Sequence, residues 1–383
     1  MRCFEYARLV FQPVALVLPV LFGLATVAAA EPDADLWAKR DAAVARGVEF
    51  LAKNQTAEGA FSPQTGPAVT GLVTAALLRS GRSPDDPVVA KSLKYLESFV
   101  RKDGGIYQPD SNHVNYETCI TIMAFAEANK DGRYTKLIGD AAKYVRGYQW
   151  DESEGKDKSA PEYGGAGYGK SKRPDLSNTT FFLDALKASG AKADDEAVQK
   201  ALVFVSRCQN LETEHNTTEF STKNPDGGFY YTPAAGGSSQ AGKTEQGGLR
   251  SYASMTYAGL KSMIYAGLGP NDPRVKAATE WLKKHYTLES NPGMEAMNPE
   301  MAQAGLYYYY HTFAKTLDAL GSEAFVEADG KSHAWRAELA KTLVERQNAD
   351  GSWTNKQPRW MEGDANLVTG YALLTMAYLR PAK

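Results

Sequence analysis

The stretch 80-SGRSPDDPVVAKSLKYL-96 recurs without a gap as 189-SGAKADDEAVQKALVFV-205 and 266-AGLGPNDPRVKAATEWL-282. Each copy reads as the end of one helix, a turn, and the start of the next. Gly81, Gly190 and Gly267 suit the left-handed residue that closes a helix, and Asp86, Asp195 and Asp272 suit the cap of the helix that follows. Pro87 and Pro273 fall at the first helical position, where a missing N–H costs nothing. Beyond the cap, Val89, Leu93 and Leu96 recur on one face with Lys91 and Lys94 opposite, which predicts amphipathic helices on the outside of a packed layer.

The segments that precede these glycines differ in kind. The runs 66–81, 116–128, 178–190, 252–268 and 366–379 are apolar nearly all round, and 301–321 joins them as a sixth. Such helices belong in an interior. Inner helices alternating with amphipathic outer ones predict an all-α, (α/α)6 toroid forming a single domain. A third element lies between the layers. Gln55, Gly59 and Phe61 share a Gln-x3-Gly-x-aromatic spacing with Gln347, Gly351 and Trp353, and Gln149 and Gln209 mark weaker copies. The glycine permits a sharp turn, the aromatic plugs the gap between hairpins, and the amide bonds free backbone groups, so the element is read as a structural clasp.

The last copy, 347-QNADGSW-353, resembles the QW motif of squalene-hopene cyclases and related triterpene cyclases. That resemblance implies the α/α toroid shared with protein prenyltransferase β subunits, without implying a shared reaction. The segment 163-YGGAGYGKSKRPDLSNTTFFLDAL-186 is similar to the Gly-aromatic run and Asp-x-Asp-Asp-Thr acid motif of class II terpene cyclases. On that match Asp175 takes the first aspartate, Ser177 the central acid, Asn178 the next aspartate and Thr179 the threonine. A serine hydroxyl is far too weak an acid to protonate an alkene, so cyclisation through this motif is not expected. The prenyltransferase zinc ligands also lack counterparts, since the corresponding helix start carries Ser251, Ser254 and Thr256. No metal and no cofactor is expected.

Residues 1–30 read as an export signal: Arg2 and Arg8, an apolar run from Val14 to Val27, then Ala28-Ala29-Ala30 before Glu31. The expected domains are a signal peptide over 1–30 and the toroid over 31–383, in a secreted or periplasmic protein that touches a membrane only through an uncleaved signal. A formal net charge of −2 with no basic stripe argues against nucleic acid. Whether Cys119 and Cys208 pair, and the oligomeric state, stay open at this level. The Gly-rich segment 226–248 has no strand before it and reads as a long, mobile rim loop.

In a toroid the starts of the inner helices converge on one rim of a central cavity, so polar and aromatic residues there are the site candidates. Candidates for acid or base are Glu117, Asp175, His113 and Tyr116. Candidates for ligand contact are Asn115, Asn178, Tyr252, Tyr257, Gln303, Tyr307, Trp360, Asp364 and Asn366, with Ser177 and Ser254 beside them. Each has a plainer role too: Asp175, Asp364 and Asn366 suit helix caps, Glu117 suits the helix dipole, and of Tyr307 to Tyr310 at most two can face a cavity. Two functions are compatible with this pattern. One is an exported protein that holds an apolar or carbohydrate ligand without turnover. The other is an enzyme acting on an isoprenoid or, like the lyases built on helical toroids, on a polysaccharide. A deep aromatic cavity favours isoprenoids, and an open groove with exposed aromatics favours carbohydrate.

Overall fold

The computed structural model describes residues 34–169 and 173–380, so the expected signal peptide lies outside the described residues. Among the described residues twelve α-helices alternate between two layers. The outer six are α1 (Ala34–Asn54), α3 (Pro87–Glu97), α5 (Thr135–Arg146), α7 (Glu196–Arg207), α9 (Pro273–Lys283) and α11 (Trp335–Glu345). The inner six are α2 (Pro67–Arg79), α4 (Val114–Ala128), α6 (Leu176–Ala188), α8 (Ala253–Tyr265), α10 (Leu306–Ala319) and α12 (Ala365–Ala377). Each inner helix packs on the next, and α12 packs back on α2, so the inner layer is a closed ring. A hairpin of two two-residue strands, β1 (Phe325–Val326) and β2 (Ser332–His333), is the sheet found among the described residues.

The hairpin turns form as the sequence dictates. Asp86, Asp195 and Asp272 accept the backbone N–H two residues on and cap α3, α7 and α9. The inner helices are almost wholly buried, whereas an outer helix such as α3 buries only Val89, Ser92, Leu93 and Leu96. One inner helix is shorter than expected. The run 301–321 begins as a 3-10 turn, and α10 starts only at Leu306, after Gly305 takes φ +67°.

The clasp operates through its amide. The Nε2 of Gln55, Gln149, Gln209 and Gln347 donates both to the carbonyl of the following glycine and to a carbonyl in the next outer helix: Val88, Ala197, Arg274 and Ala43 respectively. Gln347 therefore joins the last hairpin to α1 and closes the outer ring. The glycine is needed because the turn runs against the neighbouring helix: a Cβ on Gly164 would stand 1.8 Å from the Lys200 carbonyl oxygen, and one on Gly351 2.6 Å from that of Arg46. A second repeat accompanies it. Thr70, Thr118, Thr179, Thr256 and Thr369, each in the first turns of an inner helix, accept the backbone N–H of Phe61, Ile106, Ala166, Phe229 and Trp353. These threonines pin the clasp turn to the inner ring as the glutamines pin it to the outer one. Between α9 and α11 the clasp is replaced by the β-hairpin, where His333 stacks on Tyr286 at 3.9 Å and lies between Glu327 and Glu338.

Two further readings are resolved. Cys119 and Cys208 are buried, free thiols and do not pair. The segment 226–248 is tied down rather than loose: Thr232 bridges Ser238, Lys243 bridges Leu249, and Tyr230 and Leu249 pack with Phe220 in a small core of their own.

Candidate functional site

All six inner helices run in one direction, and their first turns surround a chamber of about 790 Å3. Every inner helix contributes: Ala68 from α2, Tyr116 from α4, Ser177 from α6, Met255 from α8, Tyr308 from α10 and Tyr371 from α12 reach its wall. The wall is strongly aromatic. Phe181 meets Tyr116 edge-on at 5.3 Å and Tyr308 at 6.1 Å, Tyr308 meets Tyr371 at 6.0 Å, and Tyr168 stands 5.7 Å from Tyr116. Burial pushes the phenols of Tyr116, Tyr308 and Tyr371 above their ordinary range, so they are neutral hydroxyls at any physiological pH. Trp360 stands at the mouth, 43% exposed, with backbone φ +56° and its ring against Gly305.

The structure brings His113, Tyr116, Glu117, Ser177, Tyr252, Ser254 and Trp360 to this wall. Glu117 accepts the Gln108 N–H at 2.8 Å and the Ser111 hydroxyl, which binds the rim turn 108–111 to α4. Burial raises its pKa, and those two donors partly offset the rise. His113 is the N-cap of α4 without a capping side-chain bond, and its ring lies edge-on to Tyr168 at 4.8 Å.

Eight candidates lie off the wall. Asp175 is 1% exposed and caps α6: its Oδ1 accepts the Asn178 N–H at 2.9 Å and its Oδ2 the Asn178 side-chain amide at 2.8 Å. It also accepts the hydroxyl of Tyr231, which does line the chamber, and burial lifts its pKa to about 6. The side-chain NH2 of Asn178 is therefore taken by Asp175, while its Oδ1 is buried without a partner. Asn115 gives its amide to the Gly167 carbonyl at 2.7 Å and holds the Gly-aromatic run onto α4. Tyr257 packs behind α8 against Phe313 at 5.0 Å, and Tyr307 packs on Tyr310. Gln303 donates to the Glu289 carbonyl. Asp364 caps α12 through the N–H groups of Asn366 and Leu367, and both Asp364 and Asn366 hold the Ser62 hydroxyl.

At the position that the sequence resemblance assigns to the central acid, Ser177 Oγ faces the chamber 3.2 Å from the Tyr308 hydroxyl. The pair is a hydrogen-bonding patch in an aromatic wall and holds no carboxyl. A carboxyl that the sequence reading missed stands on the same wall. Glu362 is 1% exposed; it accepts the Tyr308 N–H at 2.9 Å and the Asn355 amide at 2.7 Å, and burial lifts its pKa to about 7. It caps α10 from 54 residues away, which hides it from any local capping rule. Among the described residues no group of three or more His, Cys, Asp or Glu is placed to hold a metal ion.

The squalene-hopene cyclase C-terminal domain model matches residues 62–232, which take in α2 to α7 and the 173–179 segment. Among solved structures, a point variant of the type II terpene cyclase MstE from Scytonema in its apo form superposes with a TM-score of 0.53 at 12% identity, covering 90% of this chain and 98% of that one. By fold, the chain is a squalene-cyclase-like α/α toroid. Apo MstE itself superposes at 0.50 with 13% identity over 89% of this chain and 98% of its own. No curated protein sequence matches the chain. In this squalene-cyclase-like toroid the family match spans the segment where the acid motif would stand, and Ser177 occupies its centre.

Proposed function

We propose that this toroid holds an apolar, isoprenoid-type ligand in the aromatic chamber and does not protonate it through residues 175–179. The observation that carries the reading is the aromatic part of the wall: neutral tyrosines, Phe181 and Trp360 border a volume within the range of small-molecule sites, with polar side chains such as Gln64, Asp110, Asn112 and Gln240 sharing the lining. A deep aromatic cavity supports an isoprenoid over a polysaccharide, for which a groove with several exposed rings is expected. Trp360 alone of the chamber's large aromatic side chains is prominently exposed. Phenol hydroxyls on such a wall suit a ligand that carries one or two oxygens on an apolar body. The test is thermal stabilisation of the purified protein by farnesol, geranylgeraniol and squalene against cello- and chito-oligosaccharides. Stabilisation by the sugars alone would overturn the proposal.

A second reading, that the chamber is catalytic, is favoured by Glu362. A carboxyl near neutrality that faces an aromatic wall has the properties of a general acid, since the protonated form is populated at working pH. Cyclic product from squalene or a polyprenol that disappears in Glu362→Gln selects this reading. Export, proposed from the segment before Glu31, is tested separately by N-terminal sequencing of the protein recovered outside the cytoplasm.

A further inference from the structure

The bore of the toroid holds a second chamber. Phe181 and Tyr371 line the aromatic chamber on one side and, on the other, a space of about 350 Å3 at the opposite ends of the inner helices. Its walls combine apolar side chains such as Leu72, Ile120 and Leu374 with an ion cluster that the aromatic chamber has no counterpart for. Asp184 of α6 bonds Lys261 of α8 at 2.7 Å through one oxygen and Lys315 of α10 at 2.8 Å through the other. Asp184 and Lys261 are buried and Lys315 is mostly so, with side-chain exposures of 6%, 1% and 11%.

Two lysines share one carboxylate, and burial lowers the Lys261 pKa to about 7, so the excess of positive charge in the cluster is partial at neutral pH. The other charges on this wall do not cancel it. Arg79 and Glu127 neutralise each other at 2.6 Å, and Lys187 adds a further cation, its Nζ 3.4 Å from the centre of the Tyr265 ring. His311 supplies no charge, because burial and the nearby Lys315 keep it neutral. It does supply an unclaimed group: His311 lines the chamber, is 8% exposed, and its Nδ1 has no hydrogen-bond partner. The last-turn carbonyls of the helices favour cations here, but that effect is confined to the last turn, and Asp184, Lys261 and Lys315 each sit four residues inside their helix end. Lysines that outnumber the carboxylate they share, with Lys187 beside them and an unpartnered imidazole facing the same space, call for an anion.

We propose that the second chamber is an anion-binding site, taking a carboxylate or phosphate carried on a short apolar body, with Lys315 and Lys187 as its charge partners and His311 as a hydrogen-bonding partner. The anionic head lies toward Lys315, and the apolar body lies against Leu72, Ile120 and Leu374. The site is independent of what fills the aromatic chamber.

Isothermal titration calorimetry of the intact protein with inorganic phosphate and, separately, with octanoate tests it. Saturable binding of either probe is expected; octanoate alone identifies an acyl carboxylate, and phosphate alone identifies a phosphate group. Lys315→Met should weaken binding at least about tenfold and Lys315→Arg should largely retain it, one lost charge-assisted contact being worth about that factor. Lys315→Met leaves Asp184 and Lys261 as a one-to-one pair, so the fold is kept; a melting curve checks this, and the exposed Lys187→Met serves if it is not. No binding of either probe at about 10 mM, a range in which affinity is negligible, would overturn the proposal. So would equal binding by wild type and both methionine variants, which would leave the lysines with a structural role only.

Discussion

Replacing Gly164 by alanine tests the clasp, and Gly190→Ala is the matched control. Both glycines sit at left-handed φ, +82° and +96°. An L-residue there costs roughly 1–2 kcal/mol, and alanine recovers part of this by restricting the unfolded chain. Gly190 has nothing within 4 Å of the added Cβ, so Gly190→Ala should destabilise by only about 1 kcal/mol. At Gly164 the Cβ would lie 1.8 Å from the Lys200 carbonyl oxygen, whereas ordinary contact begins at 3.4 Å, so the α7 backbone must recede by about 1.6 Å. Forcing such a shift on a packed helix adds roughly 1–3 kcal/mol, for a total of about 2–4 kcal/mol. The recession also strains the contacts of Lys200 with Asp151 and Glu152. Urea unfolding followed by circular dichroism, with equal m-values, measures both variants. Destabilisation of the two by the same amount, within about 0.5 kcal/mol, would refute the close-approach argument.

Wild-type protein incubated with squalene should give no cyclic product attributable to 175–179, read by gas chromatography, and product that vanishes in Asp175→Asn would show that Asp175 is more than a cap. Ser177→Asp with Asn178→Asp should cost about 1–3 kcal/mol in denaturant unfolding, because the new carboxyls repel each other and Asp175 at a buried helix start. Glu362 has a folded pKa of about 7 against an ordinary 4.5, so the folded state holds the extra proton; its contribution is full below pH 4.5 and is lost as pH rises to about 7, roughly 3 kcal/mol in all. Asp175 acts in the same direction, from 3.8 to about 6. Stability should therefore be higher at pH 5 than at pH 8, and Glu362→Gln should flatten that slope. Asp184 acts in the opposite sense: its two lysines hold its pKa down, so its stabilisation is present above the unfolded value near 3.9 and is lost as pH falls below it.

The layers were legible in the sequence because their signals are local. A glycine and a capping aspartate at fixed offsets define each turn, followed by a proline in two of the three, and an apolar face distinguishes an outer helix from an inner one. The site was less legible because that same inner-helix pattern carries no phase. Adjacent residues on a helix point about 100° apart, and a helix that is apolar all round does not say which of them faces the bore. Tyr308 faces the chamber where Tyr307 was expected, Tyr116 does so while its neighbour Asn115 turns to Gly167, and Ser177 does so while Asn178 turns to Asp175. Tyr168 and Tyr231 reach the wall from loops whose path depends on the clasp turns. Glu362 was invisible for a further reason, since the helix it caps begins 56 residues earlier in the chain.

The common direction of the inner helices gathers three buried or partly buried carboxyls at helix starts. Helix N-termini carry a partial positive charge and favour carboxylates, and C-termini favour cations. Glu117, Asp175 and Glu362 all stand at the N-terminal end, and Arg79 and Lys187 lie in the last turns at the other, where Asp184 and Lys315 sit too far inside their helices for the end effect to reach. Each carboxyl takes N–H donors from a helix start or an adjoining turn, yet burial outweighs those donors and raises all three pKa values. That balance bears on the catalytic reading. A proton donor needs both access to the ligand and partners ready for the carboxylate it becomes. Asp175 has the partners, but Tyr231 stands between it and the chamber; Glu117 has access, but its oxygens hold the rim turn together. Glu362 reaches the wall, and the Tyr308 N–H and Asn355 amide remain bonded to it when the proton leaves. If the toroid performs acid chemistry, it is therefore Glu362 and not the segment 175–179 that has the geometry for it.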